Sequence, residues 1–556
     1  MSAEAAAMRH AQGDDPVNGT DREAGIRGPA GAAAGVAAGG GRAPGHGAAT
    51  VVGRSFSFRL GSQIISALIN VAGMVILGNH LKATGYGEYA FYYALVPLLA
   101  TLSDLGAGVI ITREVARDKA MGPRYLGDAL ILKGIIGAAM MAIVLVSAPL
   151  LLPRETALLV ILVTATSIMD YSQDIGMWMF RAHDRQDLEA VLLMVSQTIW
   201  LAGILVCTWL HAPLVLLLGS ATLAFGLRLS VGAWMVRRRI YRPQFSFDRE
   251  RLRTLLREGI PFGLAMFLVV LYGRAGVLLL KALSTHADVG YFNVGYMLSQ
   301  PLGFISSAFS ISAFPSLARA ARRGPDAVRP TLRRAIKFQF LLAFPITVGL
   351  GLLAERLIPV LFHSGTFRQS AVALKIISLG LTLIYMNLMS RYVLAAIDEQ
   401  RAYLRAIVTG LVVNMGTSAA LIPSLGFMGA CIGLLAGELT VLIGCQWTLR
   451  RYVAWGDLLG EATRPLAAAL GMGLVVFLLR PLPVLVLPFV GVIVYGVLLL
   501  AVRALSPGEL DILRRVYMSF RLPGSARLAT SRGPALEAVH PTPAAAARGP
   551  IPNEDA

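Results

Sequence analysis

The sequence predicts an all-α integral membrane protein of about fourteen transmembrane helices. They form two six-helix bundles in a parallel pseudo-twofold repeat, followed by two C-terminal helices. Three observations lead to this reading. Only 15% of the 556 residues are charged, against about 25% in soluble globular proteins, and mean hydropathy is +0.65. The apolar residues gather into long runs, and spans of about 20 residues each fit fourteen times within the chain. Finally, basic residues alternate between heavy and light loops along the whole length.

The elements follow in order. Residues 1–54, rich in Ala and Gly, lack an apolar run and read as a disordered cytoplasmic tail. Spans are predicted at 58–79, 87–110, 127–150, 156–180, 188–210 and 213–236, giving an N-terminal bundle within 55–240. A basic cytoplasmic loop, 241–258, leads to spans at 259–281, 289–314, 334–354, 370–396, 402–423 and 426–449, a C-terminal bundle within 259–450. Two further spans, 464–480 and 483–503, fall within 451–505. Residues 506–556, rich in Ala, Pro and Arg, read as a second cytoplasmic tail.

The formal net charge is +18. In a soluble protein that excess would suggest nucleic acid; here the distribution of arginine gives a simpler cause. Arg237, Arg238, Arg239, Arg242, Arg249, Arg251, Arg253 and Arg257 follow the sixth span, and Arg319, Arg322, Arg323, Arg329, Arg333 and Arg334 follow the eighth. Alternate loops hold one or two basic residues or none, such as Lys82, Arg154 and Lys281. Basic loops stay in the cytoplasm and face anionic lipid. The expectation is a multi-pass protein of a bacterial inner membrane, both termini cytoplasmic, with the bilayer and not nucleic acid as its surroundings. Cys207, Cys431 and Cys445 lie inside apolar runs with no CxxC spacing, so neither a disulfide framework nor a zinc site is indicated.

An internal repeat supports the two-bundle reading. Gly85-Tyr86-Gly87-Glu88-Tyr89 opens the second span and Asp288-Val289-Gly290-Tyr291-Phe292 the eighth, with Gly87 and Gly290 203 residues apart. Pro97 and Pro301 recur at nearly the same separation. Six spans separate the copies, so they share orientation, an arrangement that places a substrate site between two bundles.

Three stretches carry a family resemblance. Tyr86-Gly87-Glu88-Tyr89 is followed by Asp104-Leu105-Gly106 and Arg113-Glu114-Val115-Ala116-Arg117; Val289-Gly290-Tyr291-Phe292 leads to Phe314-Pro315-Ser316-Leu317-Ala318-Arg319; and Gly426-Phe427-Met428-Gly429-Ala430 opens the twelfth span. Together, over about residues 55 to 450, they resemble the polysaccharide-exporter branch of the multidrug/oligosaccharidyl-lipid/polysaccharide flippase superfamily, the Wzx-type oligosaccharide flippases. The resemblance implies a V-shaped pair of bundles working by alternating access on a polyprenyl-pyrophosphate-linked glycan. It also implies glycan polymerases or glycosyltransferases as partners. Relatives often carry an acid soon after an arginine in the seventh span; here Ala275 and Gly276 follow Arg274, so that route to ion coupling is missing.

Such a protein binds and moves its substrate without chemistry, so candidate residues are ionisable groups inside spans, where they are expensive and usually face a cavity or a partner. Arg274 leads. It lies well inside its span between small residues, and a guanidinium offers a planar fork matched to phosphate oxygens. The alternative is an internal pair with Asp104 or another acid. Arg391 is read either as a second phosphate contact or as snorkelling to headgroups, and Arg59 as a substrate contact or lipid anchor. Asp104, Asp170, Asp174 and Glu438 are read as ion-coupling groups or structural partners, with Glu438 closing a stripe of Gly429, Gly433 and Gly437 suited to close packing. Asn70, Gln197, Asn293, Gln300, Asn387 and Asn414 either meet sugar hydroxyls or bond between helices. No phosphate loop, HExxH or GxSxG is present, and no catalytic residue, cofactor or metal is expected. The rival function is a cation-coupled multidrug exporter of the same superfamily; a further rival is a non-transporting membrane subunit of a glycan-synthesis complex.

Overall fold

The computed structural model describes residues 46–183, 185–240, 242–246 and 248–504, with side chains from 61 onward except at 109, 186 and 455. Among them are α1 (His46–Asp104), α2 (Ala107–Arg117), a 3-10 turn (Lys119–Met121), α3 (Gly122–Leu151), α4 (Arg154–Ala182), α5 (Gln186–Trp209), α6 (Leu214–Arg239) and α7 (Arg249–Leu283). There follow α8 (His286–Arg322), α9 (Pro325–Leu361), α10 (Ser370–Ala396), α11 (Gln400–Leu425), α12 (Phe427–Leu449), α13 (Trp455–Leu478) and α14 (Leu487–Ala501), with no strand among the described residues. The described residues fall into two units. The second, from Leu499, comprises the end of α14, where the Ala504 N–H donates to the Leu499 carbonyl at 3.0 Å.

Lipid offers the backbone no hydrogen bonds, so each crossing segment satisfies its own as a helix. Among the described residues, twelve helices are long and apolar enough to cross a membrane. One of them, the Gly61–Asp104 part of α1, has 44 residues, which at about 1.5 Å per residue is roughly twice a bilayer's hydrocarbon thickness. It breaks at Lys82, whose φ of 57° lies in the left-handed region, and so supplies the first two spans. Adding the shorter α14, 15 residues long, gives the expected number of about fourteen. The second span ends earlier than its hydropathy predicts. Leu105 and Gly106 take φ of 47° and 71°, and the chain restarts as the short α2 instead of running on to residue 110.

Helix starts follow local chemistry. Asp248 caps α7, accepting from the N–H groups of Glu250 at 3.0 Å and Arg251 at 3.2 Å, and the Thr285 hydroxyl caps α8 from Asp288 N–H at 3.2 Å. Such side chains satisfy donors a helix leaves unpaired. Pro123 and Pro325 lie in first turns, where the missing N–H is harmless. Large apolar side chains stay exposed on the outside, among them Ile143, Val146 and Leu150 on α3 and Phe489, Val492 and Ile493 on α14. In water such patches would be liabilities; against hydrocarbon they are complementary.

Helices α1 to α6 and helices α7 to α12 meet at two places. At one end the second arm of α1 crosses α8 backbone against backbone. A Cβ on Gly87 would lie 1.7 Å from the His286 carbonyl oxygen, and one on Gly290 would lie 2.4 Å from that of Ala83. Asn79 reinforces this end: its amide donates to the Leu361 carbonyl at 2.8 Å, and its oxygen accepts the His363 N–H at 3.0 Å. At the arginine-rich end, the break at Leu105–Gly106 packs on Gly259 and Gly263 of α7, with Arg113 and Glu258 paired at 2.9 Å beside it. The chain between α6 and α7 is tied to α3. Gln244 N–H donates to the Pro123 carbonyl at 2.9 Å, and Arg251 pairs at 3.0 Å with Asp128, which is fully buried. Helix α13 leans on α9 through Arg333 and Glu461 at 2.7 Å, and the Tyr495 hydroxyl of α14 donates to the α9 carbonyl of Leu341 at 3.0 Å.

The glycine crossing predicts a selective cost. Gly87→Ala and Gly290→Ala each force backbone apart and are expected to destabilise this arrangement by about 1–3 kcal/mol. Gly303→Ala, whose added Cβ meets nothing within 4 Å, is expected to be neutral. Thermal unfolding of the purified variants in detergent measures the difference; equal melting of all three would contradict the crossing.

Candidate functional site

Between the two glycine crossings the helices carry larger side chains and stand apart, leaving a cavity of about 620 Å³. Its walls come from five spans. The first arm of α1 gives Gln63, Ser66, Asn70 and Met74; the second gives Ala90, Tyr93 and Pro97; α5 gives Leu193 and Gln197. From the other side come Val269, Val270, Gly273 and Arg274 of α7, and Asn293, Tyr296, Met297, Gln300, Pro301 and Phe304 of α8.

Arg274 is the only charged side chain among these lining residues. Local sequence explains how it gets there. Ala275 is fully buried, and Gly276 lets the Phe292 ring approach so closely that a Cβ would lie 2.7 Å from it. The back of α7 therefore packs on α8 while Arg274 turns inward. It forms no ion pair among the described residues, and Asp104 is engaged elsewhere. The amides Asn70, Gln197, Asn293 and Gln300 share the cavity, and Asn293 also donates to the Tyr86 hydroxyl at 3.0 Å. An apolar wall with a few convergent polar groups and one cation suits an amphipathic anion.

The other candidates are not among the residues that line this cavity. Arg391 on α10 is half-buried with its guanidinium 6.0 Å from the Tyr392 ring. Arg59 lies among the residues whose side chains are not described. Asp104 pairs with Lys133 of α3 at 2.9 Å. Lys133 also donates to the Tyr171 carbonyl and sits 4.2 Å from the Trp178 ring. Asp170 and Asp174, one turn apart on α4, border the same cluster: Asp170 accepts from Gln173 at 2.5 Å, and Asp174 lies within the field of Lys133 and the buried Arg228. Glu438 accepts from the Asn387 amide at 2.7 Å inside the second bundle. Its glycine stripe packs α12 on α11, with a Cβ on Gly433 falling 2.0 Å from the Ser418 hydroxyl. Asn387 and Asn414 are buried in that bundle and away from the cavity.

The chain's similarity to known proteins agrees with this geometry. Residues 190–512 match the model of the family described as Lipid II flippase MurJ. The chain belongs to the MurJ flippase family. Residues 52–321 also match a family described as polysaccharide biosynthesis protein, the direction in which the sequence motifs point. No curated protein matches the chain. Among solved structures, a lipid II flippase MurJ in an inward closed conformation aligns with a TM-score of 0.67 and 14% identity, covering 79% of this chain and 96% of that one. A multidrug resistance MATE transporter of the MOP superfamily, inward-facing, aligns at 0.58 with 18% identity, covering 71% and 98%. A MOP superfamily transporter from Pyrococcus furiosus, described as having a binding pocket of reverse polarity, aligns at 0.51 with 18% identity, covering 73% and 96%. At these identities the structures share the fold of this MurJ-family member, an all-helical membrane transporter fold.

The sequence leaves Gln63, Ser66, Tyr93 and Tyr296 unremarked, although the last two were findable: they are 203 residues apart, the separation of Gly87 and Gly290. The buried pair of Lys133 and Asp104 predicts its own signature. Lys133→Met leaves a carboxylate without its partner and is expected to cost about 3–5 kcal/mol, and Lys133→Met with Asp104→Asn is expected to recover much of it. A double-mutant cycle of detergent melts checks this, and strictly additive losses would mean the two do not interact.

Proposed function

We propose that this MurJ-family member is a lipid-linked oligosaccharide flippase of a bacterial inner membrane. On this reading it moves a polyprenyl-pyrophosphate-linked glycan from the cytoplasmic to the periplasmic leaflet by alternating access, with both termini cytoplasmic. One observation carries the reading: Arg274, which forms no ion pair among the described residues, lines a cavity whose other walls are apolar, amide-bearing or hydroxyl-bearing. A guanidinium there neutralises phosphate and offers it paired donors, while Asn70, Gln197 and Gln300 suit sugar hydroxyls and the lipid tail stays in the bilayer. The family's described function and the match to a polysaccharide biosynthesis family support the substrate class. A multidrug exporter for cations is less compatible, because the described cavity lining holds a cation and no acid.

The mechanism follows from the two crossings. The Gly87–Gly290 end and the Gly106–Gly259 end cannot both be closed when substrate enters or leaves. Parting the Arg113–Glu258 end admits the headgroup beside Arg274. Reclosing it and parting the other end releases the headgroup on the far side, with Asn79 letting go of Leu361 and His363. No covalent bond is made or broken.

Deleting the gene is expected to accumulate polyprenyl-pyrophosphate glycans, detected by mass spectrometry of extracted lipids. Wild-type protein is expected to clear them, Arg274→Ala to fail, and Arg274→Lys to restore only part, because a lysine keeps the charge and loses the fork. Full clearance by Arg274→Ala would refute the headgroup role, and no accumulation in cells that make the upstream intermediates would refute the flippase.

A further inference from the structure

We propose that Tyr93 and Tyr296 form, with Arg274, a three-pronged phosphoryl site in which one phenol from each bundle donates its hydroxyl hydrogen to the anion. The inference deepens the flippase reading and rests on it.

The two tyrosines hold equivalent positions in the repeat, each six residues after its crossing glycine. Each is stacked on the aromatic ring one helical turn earlier, in nearly the same way. Tyr93 lies on Tyr89 with ring centroids 5.6 Å apart and planes 13° from parallel; Tyr296 lies on Phe292 at 5.8 Å and 13°. Residues four apart share one helix face. Tyr89 and Phe292 are buried, whereas Tyr93 and Tyr296 reach the cavity. The buried ring of each pair thus fixes the half-buried one at the cavity, so little side-chain freedom remains to be lost on binding.

Both phenols share one cavity wall with Arg274. The Tyr296 hydroxyl lies against the residue before Arg274, where a Cβ on Gly273 would sit 3.1 Å from it. The Tyr93 hydroxyl makes no hydrogen bond among the described residues, and Gln300 lines the same wall as Tyr296. A phosphoryl group has more acceptor lone pairs than one guanidinium satisfies. Two phenols add donors without adding charge, which holds the anion in place and still lets it leave. Because Tyr93 belongs to the first bundle and Tyr296 to the second, an anion bound by both bridges the halves. Parting either end of the cavity is then coupled to loosening one phenol.

The test uses full-length protein in nanodiscs with farnesyl pyrophosphate as probe and farnesol as its phosphate-free control, measured by equilibrium dialysis. Tyr→Phe keeps the ring stacking and removes only the hydroxyl. Tyr93→Phe and Tyr296→Phe are each expected to weaken farnesyl pyrophosphate binding about tenfold, the effect of one hydrogen bond to a charged group, by similar factors and with farnesol unchanged. Unchanged pyrophosphate binding in both variants would overturn the proposal, as would equal loss of both probes, which signals a packing defect. Arg274→Ala separates the two levels of the argument. If it abolishes the preference for pyrophosphate while the phenylalanine variants keep it, the phenol proposal fails and the flippase reading stands. If Arg274→Ala itself keeps the preference, the reading beneath fails.

Discussion

The arrangement depends on backbone touching backbone at two points. Helices bearing ordinary side chains pack with axes about 8–10 Å apart; glycine removes the Cβ and permits a closer approach. At Gly87 and Gly290, and again at Gly106, Gly259 and Gly263, an added Cβ would collide with main-chain atoms of the facing helix. Between those points Tyr93, Met297 and Phe304 hold the walls apart. The cavity is thus a product of contrast along single helices, glycine at the ends and bulk in the middle. A helix such as α8 does both within its 37 residues.

Charge is distributed by a related rule. Ionisable groups in a low-dielectric interior are tolerated when paired. Asp104 has Lys133, Asp128 has Arg251, and Glu189, nearly inaccessible, has Arg181 at 2.7 Å. Glu438 leans on an amide. Arg274 holds its charge toward the cavity instead, and Arg228, buried with a contact to the Met177 sulfur, is a second arginine without an ion pair among the described residues.

Much of this was legible in the chain. Hydropathy and the alternation of arginine located the spans, because lipid leaves a helix no other solution. The repeat at Gly87 and Gly290 pointed to a two-part architecture, and the residues themselves prove to be one of the two contacts between the halves. The small neighbours of Arg274 marked it as a group with room around it. Other features were hidden for physical reasons. The break at Leu105–Gly106 is a matter of backbone dihedrals imposed by packing on α7, and hydropathy averages straight across it. Arg251 reads as one more solvated loop arginine, yet it is sequestered with Asp128 because a distant segment folds over it. Asn387 and Asn414 look no different in sequence from Asn70; which of these amides meets the cavity depends on helix rotation, which no local pattern records.

The attachment of the α6–α7 connection to α3 has a mechanical consequence. With Gln244 held by the Pro123 carbonyl and Arg251 locked to Asp128, the covalent strap between the halves has little slack. Any rotation of one half against the other would turn about a fulcrum close to the first turn of α3, or else rupture that ion pair. A pivot off to one side gives unequal lever arms to helices near it and far from it, so a given turn would displace most the flank opposite the strap.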